Sequence, residues 1–537
     1  MPSSPAFDLY TRPWILVVRD GVETSASLRT CVIEAHLIDA LSITDGPGFA
    51  GALRLLMALV MDAYGQPAND AEWADRRAHG SFDADTLDSY VDKVGSSRFD
   101  LFDPQYPFMQ SATTPFEGKS VAELLPHVAT GNRTPIWTPD TDATPRPLTF
   151  AQAARALVAS HAVAVPGPGR AAGDDPKESW AGVSLAGRAG IIGFCCPIGD
   201  TLFETLLLNL PNGPHAALDP SDLPVWRRHD IPPSRCKRFA DGMVDLLTWT
   251  PRRVRLIADG DTVSRVCFRG GDALPELKLD HEPHTALRRS DGKAGVPQDQ
   301  WYPRKHLPHT LGWRGIPQLL ALGDQRHDSR PPIVLRELGN RIEDLPPNYR
   351  VTIASMLVTY GNMSAVIDDI STDMYPLPVR AFGDAELDVR DALVDLVTTA
   401  DQVRYLVRGY AQDLFTVTQR DLETNRDPKK DKRASKSYAN TVEAQLVAQI
   451  DSITRRFLSD LAADPDKLGG LKTSWTEQLR ALVNDTVRSV QADCGPNVFT
   501  VLAKDGKVVV YPPAVRESQL RKRLVDYLGD VSVEAPA

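Results

Sequence analysis

The stretch RFDLFDPQYPFMQ, residues 98–110, concentrates four aromatic residues and a methionine in a chain that is only 7% aromatic. Pro104 and Pro107 each remove a backbone donor and restrain the preceding residue, which disfavours both a helix and a central strand. An extended, turning segment remains, and its apolar side chains must be buried against other elements. The sequence therefore predicts an irregular loop that lines the core with Phe99, Phe102, Tyr106, Phe108 and Met109.

The size and composition of the whole chain are those of a soluble globular protein. Its length of 537 residues predicts about two to four domains, and its 42% hydrophobic and 24% charged residues are an ordinary balance. The chain has no run of about 18 apolar residues, so no membrane helix is predicted. The first residues also lack the basic and apolar regions of a secretory signal. We therefore expect a cytoplasmic protein with no membrane partner.

The charge balance limits the nucleic-acid contact that the chain can make. Its formal net charge is −10, whereas a protein that binds duplex DNA alone is usually basic. Autonomous, non-specific DNA binding is therefore disfavoured, but a subunit that touches nucleic acid through a few loops remains compatible. The six cysteines are scattered without a CxxC pair, which predicts reduced thiols in a reducing compartment.

The first two thirds of the chain mix helices, strands and long irregular loops. Residues 130–150 and the stretch that follows Val165 are rich in proline and have no period, which is typical of long functional or disordered loops. The part from 224 to 350 indicates short strands joined by turns. The expected elements before it are a strand at 13–18, a helix capped by Ser27 and running through 28–41, an apolar central helix at about 48–64 and a helix at about 149–164.

The last part of the chain has the spacing of packed helices. NVFTVLAKDGKVVVYPP predicts a β-hairpin at 498–511 on the Asp505-Gly506 turn, for which we assign no role. The predicted fold class is α+β, with a large mixed α/β domain at 1–380 and a four-helix bundle at 385–537. The first bundle helix carries a seam with alternating spacings of four and three residues, made by Leu396, Ala400, Val403, Val407, Tyr410, Leu414 and Val417.

Few residues suggest an enzyme. The chain has no GxxxxGK[ST] phosphate loop and no GxSxG nucleophile elbow. His281 and His284 flank Glu282 and are the best metal candidates, but Pro283 interrupts a helix there and no third ligand is near in sequence. A stand-alone metal-dependent hydrolase that uses His281 and His284 is therefore the alternative to a non-catalytic protein.

Two basic stretches have two interpretations each. Arg288, Arg289 and Lys293 lie near a turn, where they are either solvated or in contact with nucleic-acid phosphates. The same choice applies to a predicted linker between bundle helices, which carries Lys429, Lys430, Lys432, Arg433 and Lys436.

Two small-residue segments are equally open. Tyr360 to Ser364 predicts a turn that enters a helix, but a small turn of this kind also fits a DNA groove, where Met363 would wedge a base step. PGPGR at 166–170 predicts a flexible exposed loop, because its prolines lack the amide donors that cradle phosphate.

Several motifs occur in an order typical of one family. They are FDLYTRPWILVVRDG and SLR near the start, ALRLLMALVMDA at 52–63, RFDLFDPQYPFMQ, GNRTP before a loop, and an AQAARAL helix. Together they resemble the CasA family, the large subunit of the type I-E Cascade complex of CRISPR systems. The motifs are dense over residues 7–210 and looser over 225–375, and the likeness beyond that rests on the predicted bundle.

The resemblance implies an N-terminal α/β domain of unusual fold, a C-terminal four-helix bundle, no catalysis and no cofactor. Such a subunit joins other Cascade subunits and docks near the 5′ handle of the guide RNA. It recognises the protospacer-adjacent motif (PAM) in double-stranded target DNA, helps to open the duplex and recruits the helicase-nuclease. The protein then recognises only the short motif, while base pairing with the guide RNA recognises the rest of the target sequence.

The resemblance also implies which residues make these contacts. A glycine loop at 166–173 would approach the minor groove with Gly167, Gly169 and Arg170, although Pro166 and Pro168 dilute the family's glycine run. A docking loop would extend from Asn132 to about Pro145 and make contacts through Asn132, Arg133, Thr134, Ile136 and Trp137.

The wedge implied by the resemblance consists of Gly361, Asn362, Met363 and Ser364. Relatives can carry a glutamine at its tip, and a methionine can unstack a base step but cannot donate a hydrogen bond. One of Arg288, Arg289 or Lys293 would take the place of the family's groove lysine, and the lysines near 430 would contact the DNA backbone. Some relatives carry a zinc ribbon near position 236, but Cys236 alone cannot form one, so no metal is predicted.

Overall fold

The computed structural model describes residues 5–114, 118–125, 128, 146–163, 192–213, 217–229, 231–232, 238–272, 274, 279–290, 292, 300–304, 306–307, 310–320, 329–346, 348–361, 367–383, 387–418, 428–494, 501–504, 507–510 and 513–529. The helices are α1 (Leu28–Ile33), α2 (Gly46–Tyr64), α3 (Asp70–His79), α4 (Ala84–Val94), α5 (Phe150–Val163), α6 (Leu202–Leu208), α7 (Met243–Leu247), α8 (Ile316–Leu319), α9 (Ile333–Asn340), α10 (Leu387–Thr418), α11 (Pro428–Ala463), α12 (Leu468–Cys494) and α13 (Pro513–Leu528). The strands are β1 (Ile15–Arg19), β2 (Val22–Ala26), β3 (Ala40–Leu41), β4 (Lys119–Ser120), β5 (Leu148–Thr149), β6 (Phe194–Ile198), β7 (Arg252–Asp259), β8 (Thr262–Gly270), β9 (Leu287–Arg289), β10 (Trp301–Pro303), β11 (Ser329–Arg330), β12 (Arg350–Tyr360), β13 (Ile367–Pro378), β14 (Val501–Lys504) and β15 (Lys507–Val510).

The chain divides into two compact units. The first contains Met1–Pro347, Val351–Met374 and Phe382–Asp384, and the second contains Asn348–Arg350, Tyr375–Ala381 and Ala385–Ala537. The first unit mixes helices with several small sheets, and the second is dominated by the helices α10–α13. The predicted α+β fold class is confirmed.

The centre of the first unit is α2, which is buried on almost every side. By length and composition it is apolar enough to cross a membrane, but 94% of its most apolar 18-residue stretch is buried inside the fold. Its all-round burial follows from its sequence, because apolar residues occupy every face of the helix. The predicted central helix is confirmed, and other elements of the unit pack around it.

The segment 98–110 is the irregular core-lining loop that the sequence predicts. The Phe99 ring lies 6.1 Å from Phe108 and 5.9 Å from Trp226, measured between centroids. Burial is confirmed for Phe99, Phe108 and Met109, whereas Phe102 and Tyr106 stay partly exposed. Their rings are covered at the surface instead: Phe102 packs 4.5 Å from Phe150, and the Arg98 guanidinium lies 3.6 Å over Tyr106.

The predicted helix after Ser27 is correctly capped but too long. The Ser27 hydroxyl accepts a hydrogen bond from the Thr30 amide, as an N-cap does. The helix α1 then ends at Ile33, and a 3-10 turn at Ala35–Leu37 leads into β3, which pairs with β1. The pairing of Leu41 with Val17 and the burial of Ile38 outweigh the helical pattern.

The second unit contains the predicted helices and hairpin. The seam residues Leu396, Val403, Val407 and Leu414 are all buried, and β14 pairs with β15 antiparallel. The predicted linker at Lys429–Lys436 is wrong, because α11 begins at Pro428. Proline suits the first position of a helix, and lysine, arginine and alanine are good helix formers, so the basic stretch forms the first turns of α11.

Candidate nucleic-acid interface

A three-stranded sheet with the order β13-β12-β6 carries the candidate site. In the antiparallel pair of β6 and β12, Phe194 lies opposite Met356 and Ile198 opposite Thr352. On the other side of β6, Phe194 bridges Thr285, and the Cys195 amide donates to the His284 carbonyl at 2.9 Å. The segment before β9 therefore continues this sheet as a short extra strand.

The registers place two predicted DNA-contacting segments at one end of this sheet. Both β12 and the 285–289 segment run antiparallel to β6, so beyond Phe194 they run in the same direction. Tyr360 follows Met356 by four residues and Arg289 follows Thr285 by four, which is about 13 Å of strand in each case. The end of β12 and the basic strand β9 therefore emerge at the same end of the sheet, on either side of the chain that enters β6, about 10 Å apart.

The described residues on either side of the predicted glycine loop lie at the same end of the sheet. The Val163 carbonyl, at the end of α5, accepts a hydrogen bond from the Tyr360 hydroxyl at 3.4 Å. The chain returns at Ile192, which is buried, and Gly193 precedes β6. A Cβ on Gly193 would collide with the Arg304 carbonyl oxygen, so glycine is needed for this close approach. Gly167, Gly169 and Arg170 themselves lie outside the described residues.

The predicted wedge falls between two paired strands, β12 and β13. The expected turn into a helix at Tyr360–Ser364 is wrong, because β12 ends at Tyr360 and the chain enters a second strand, β13, at Ile367. Gly361 is the described wedge residue, and a Cβ there would meet the Asp368 carboxylate. A glycine at this position therefore leaves room for the exposed side chain of Asp368. Asn362, Met363 and Ser364 fall outside the part of the chain that the structure describes.

The predicted groove arginines belong to a small sheet with the order β10-β9-β11. Arg288 is exposed and its guanidinium lies 5.4 Å from the centre of the Tyr302 ring. Arg289 lies opposite Trp301 in the register. Lys293 is not among the described residues. The sequence analysis missed Trp301 and Tyr302, although WYP at 301–303 is an aromatic pair in an arginine-rich segment.

His284, one of the two histidines of the alternative metal site, lies beside a buried ion pair. The Arg54 guanidinium donates to both Glu282 oxygens, at 2.8 and 3.2 Å. Burial, with the Arg54 charge as a lesser cause, lowers the pKa of His284 well below its ordinary value, so His284 is neutral. Arg54 already occupies the place beside the carboxylate that a metal ion would need, and the described residues contain no group of three ligating side chains.

Two strands that flank the predicted docking loop in sequence meet on another sheet. Both β4 and β5 pair with β8, and β7 occupies the other edge of β8. Ser120 lies opposite Arg265 and Leu148 opposite Val263, so the end of β4 and the start of β5 are two residues apart on β8, or about 7 Å. Asn132, Arg133, Thr134, Ile136 and Trp137 belong to the loop but lie outside the described residues.

The segment 98–110 supports this docking sheet. The Ser111 amide donates to the Val254 carbonyl at 3.0 Å, and the Gln110 side chain accepts from the Leu256 amide at 2.7 Å. Both partners belong to β7, which pairs with β8. The aromatic segment therefore packs next to the sheet from which the docking loop leaves.

In the second unit, the basic stretch begins a helix. Arg433 is exposed on the second turn of α11. The side chains of Lys429, Lys430 and Lys432 are not described. Because the helix dipole is positive at this end, a cluster of cations there is unfavourable unless an anion is near.

Comparisons with known proteins place the chain among the CRISPR-associated proteins. A curated relative named CRISPR-associated protein CasA/Cse1, from Thermus thermophilus, is 28% identical over 389 residues, which are 70% of this chain and 72% of the relative. The crystal structure of Thermobifida fusca Cse1 matches with a TM-score of 0.80 and 28% identity, covering 98% of this chain and 99% of that one. A chain of a structure titled CRISPR RNA-guided surveillance complex shares the fold, with a TM-score of 0.66 and 18% identity over 91% of this chain and 99% of that one.

The particular family follows from a family model. The model described as CRISPR-associated protein Cse1 matches residues 8–486. The chain therefore belongs to the Cse1 family, also called CasA, the large subunit of the Cascade complex. The resemblance inferred from the opening motifs is confirmed.

Proposed function

We propose that this chain recognises the PAM in double-stranded target DNA for an RNA-guided type I-E complex, helps to open the duplex and recruits the helicase-nuclease. It acts without catalysis, in the cytoplasm, in contact with other Cascade subunits and the 5′ handle of the guide RNA. The observation that carries the proposal is the shared end of the β13-β12-β6 sheet, where the roots of the glycine loop, the wedge and the basic strand lie together.

This arrangement suits a duplex because it offers different contacts side by side. Arginines of β9 supply the positive charge that phosphates and narrow grooves attract. The segment with Met363 supplies an apolar wedge, which unstacks base steps. A backbone loop with few side chains can approach the minor groove closely. A rigid sheet that fixes all three roots keeps the contacts in one geometry.

The docking role is proposed for residues 132–145. Because β4 and β5, the strands that flank the loop in sequence, both pair with β8, the loop can project from the unit while these flanking strands stay fixed. Trp137 would stack on a base of the guide RNA, since aromatic side chains bind unpaired bases by stacking. The lysines and Arg433 at the start of α11 would contact DNA phosphates, which would also relieve the repulsion at that helix end.

The wedge is tested by replacing Met363 and Ser364 together with glycine in the reconstituted complex. Affinity for a PAM-bearing duplex should fall while assembly is retained. Asp20→Gly is a matched control, because Asp20 lies at the turn between β1 and β2 and already has a positive φ of 53°, so glycine fits there. Unchanged affinity for the PAM-bearing duplex in the double variant would show that the wedge assignment is wrong.

The docking loop is tested by deleting residues 134–144. The shortened chain should fold, because both flanking strands keep their pairing with β8, but it should dissociate from the complex during co-purification. Co-purification at the wild-type ratio would refute the docking role. If complexes assembled without the chain bind and degrade target equally well, the whole proposed function is refuted.

A further inference from the structure

The small β10-β9-β11 sheet has an unusual composition. Its strand residues include three arginines and two aromatic residues but no carboxylate. None of these strand residues is buried, so neither face of this sheet belongs to the core. A sheet that exposes rings and positive charge on its faces stabilises the fold little, whereas aromatic rings beside arginines are what proteins use to hold unpaired bases.

The register separates the two faces. Residues that lie opposite each other in antiparallel strands point to the same side. Arg289 lies opposite Trp301, and Arg330 lies opposite Leu287, two residues from Arg289. Arg289, Trp301 and Arg330 therefore share one face, which we call the Trp301 face. The Arg330 guanidinium lies 4.0 Å from the centre of the Trp301 ring, in stacking distance.

The position of this face matters as much as its composition. The strand β9 emerges at the same end of the sheet as β12, which the predicted wedge follows in sequence. A base pair opened at that wedge releases a strand whose bases lose their stacking partners. An aromatic ring next to the opening can replace that stacking, and the arginines can follow the backbone.

We propose that the Trp301 face binds single-stranded DNA, namely the strand displaced from the target duplex where the wedge opens it. An unpaired base stacks on the layer formed by Trp301 and Arg330, and Arg289 contacts the adjacent phosphates. This inference rests on the proposed function, since it needs a duplex opened at the wedge. It adds a second DNA contact that holds the open state rather than recognising the motif.

The experiment compares two targets bound by the reconstituted complex. Both carry the PAM duplex followed by an unpaired target strand. In the first the displaced strand continues past the junction, and in the second it is cut at the junction. The wild-type complex should prefer the first target, and Trp301→Ala should reduce that preference about tenfold, since alanine substitution of a stacking ring has an effect of this order. Affinity for the second target should not change.

Three further variants isolate stacking from charge and from folding. Trp301→Phe should keep most of the preference, because a phenyl ring still stacks. Arg330→Lys should lower the preference, because lysine keeps the charge but lacks the planar guanidinium. Arg488→Gln removes an exposed arginine of α12 as the control and should have no effect. Circular dichroism melting and co-purification of each variant report whether the chain still folds and assembles.

Each outcome decides the question. If Trp301→Ala and Trp301→Phe both keep the wild-type preference, the Trp301 face is not a DNA site, and the Arg330 stack only stabilises the sheet. The same conclusion follows if the wild type does not distinguish the two targets. It also follows if Trp301→Ala fails to assemble while Arg330→Lys assembles and keeps the wild-type preference, which would indicate a protein partner. Failure of the proposed function is separate, because the wild-type complex would then bind PAM-bearing and PAM-scrambled duplexes equally.

Discussion

Replacing Arg54 with methionine should destabilise the first unit strongly. The Arg54 side chain is 4% exposed and that of Glu282 is 0% exposed, so Arg54→Met leaves a carboxylate in the core without its counter-charge. The remaining donor to Glu282 is the His284 amide at 3.2 Å. Breaking one partner of a buried pair costs about 3–5 kcal/mol.

The cost converts to a melting temperature through the size of the cooperative unit. For the roughly 370 residues of the first unit, an unfolding entropy of about 2.1 cal/mol/K per residue predicts a fall of about 4–6 °C. The assay is differential scanning calorimetry of the full chain.

The double variant Arg54→Met with Glu282→Leu is the critical comparison. If charge is the cause, removing both partners should restore most of the melting temperature, since apolar replacements of a buried pair are often neutral. Target binding should be retained too, because the Cys195–His284 hydrogen bond and the Phe194–Thr285 bridge still hold the root of β9. A single variant that melts within about 1 °C of the wild type, or a double variant as unstable as the single one, would refute this reasoning.

Three further outcomes follow from other contacts. Gly193→Ala should lower stability by about 1–3 kcal/mol, because its Cβ would collide with the Arg304 carbonyl oxygen, a backbone atom. Gly361→Ala should lower the melting temperature far less, because the Asp368 carboxylate that its Cβ meets ends an exposed side chain and can rotate away. Burial lowers the pKa of His161 and of His306 to about 4. Since both folded values lie below the unfolded value of about 6.5, their contribution to stability should be complete above about pH 6.5 and should be lost between about pH 6.5 and 4. Replacing both histidines with glutamine should flatten the pH dependence of the melting temperature. Replacing Lys429, Lys430, Lys432 and Arg433 with glutamine should weaken the salt dependence of target binding. The slope of the logarithm of the binding constant against the logarithm of the salt concentration should become shallower by about 0.9 for each phosphate contact that is lost.

The elements that the sequence predicts correctly are those with a strong local pattern. The apolar period of α2, the heptad seam of α10 and the turn of the β14–β15 hairpin each determine their own structure. The burial of Phe99 and Phe108 follows because two prolines prevent a helix or a central strand in this segment, while its many aromatic rings must be buried against other elements. These predictions need no knowledge of distant residues.

The wrong predictions share a different cause. Tyr360–Ser364 has the glycine and asparagine of a helix boundary, but β12 pairs with β6, more than 150 residues earlier in the sequence, and with β13, so the chain continues into a strand and not into a helix. The helix after Ser27 is cut short by the pairing of β3 with β1. The basic stretch at Lys429 resembles a linker because it is a run of charged residues, although lysine, arginine and alanine are good helix formers. Long-range pairing outweighs local propensity in the first two cases.

The same physics explains why the sequence shows the candidate site only in pieces. Arg289, Tyr360 and Val163 are far apart in sequence, and each has an ordinary local context. Their location at one end of the sheet depends on a register, Phe194 opposite both Met356 and Thr285, and a displacement of one residue would turn the side chains of the displaced strand to the opposite face. A variant that displaces β9 by one residue relative to this register should therefore abolish target binding even where every predicted contact residue is intact. Inserting one alanine between Thr285 and Ala286 makes that change, and the melting temperature shows whether the fold survives. Wild-type affinity for a PAM-bearing duplex in a folded insertion variant would show that the shared end of the sheet is not the interface.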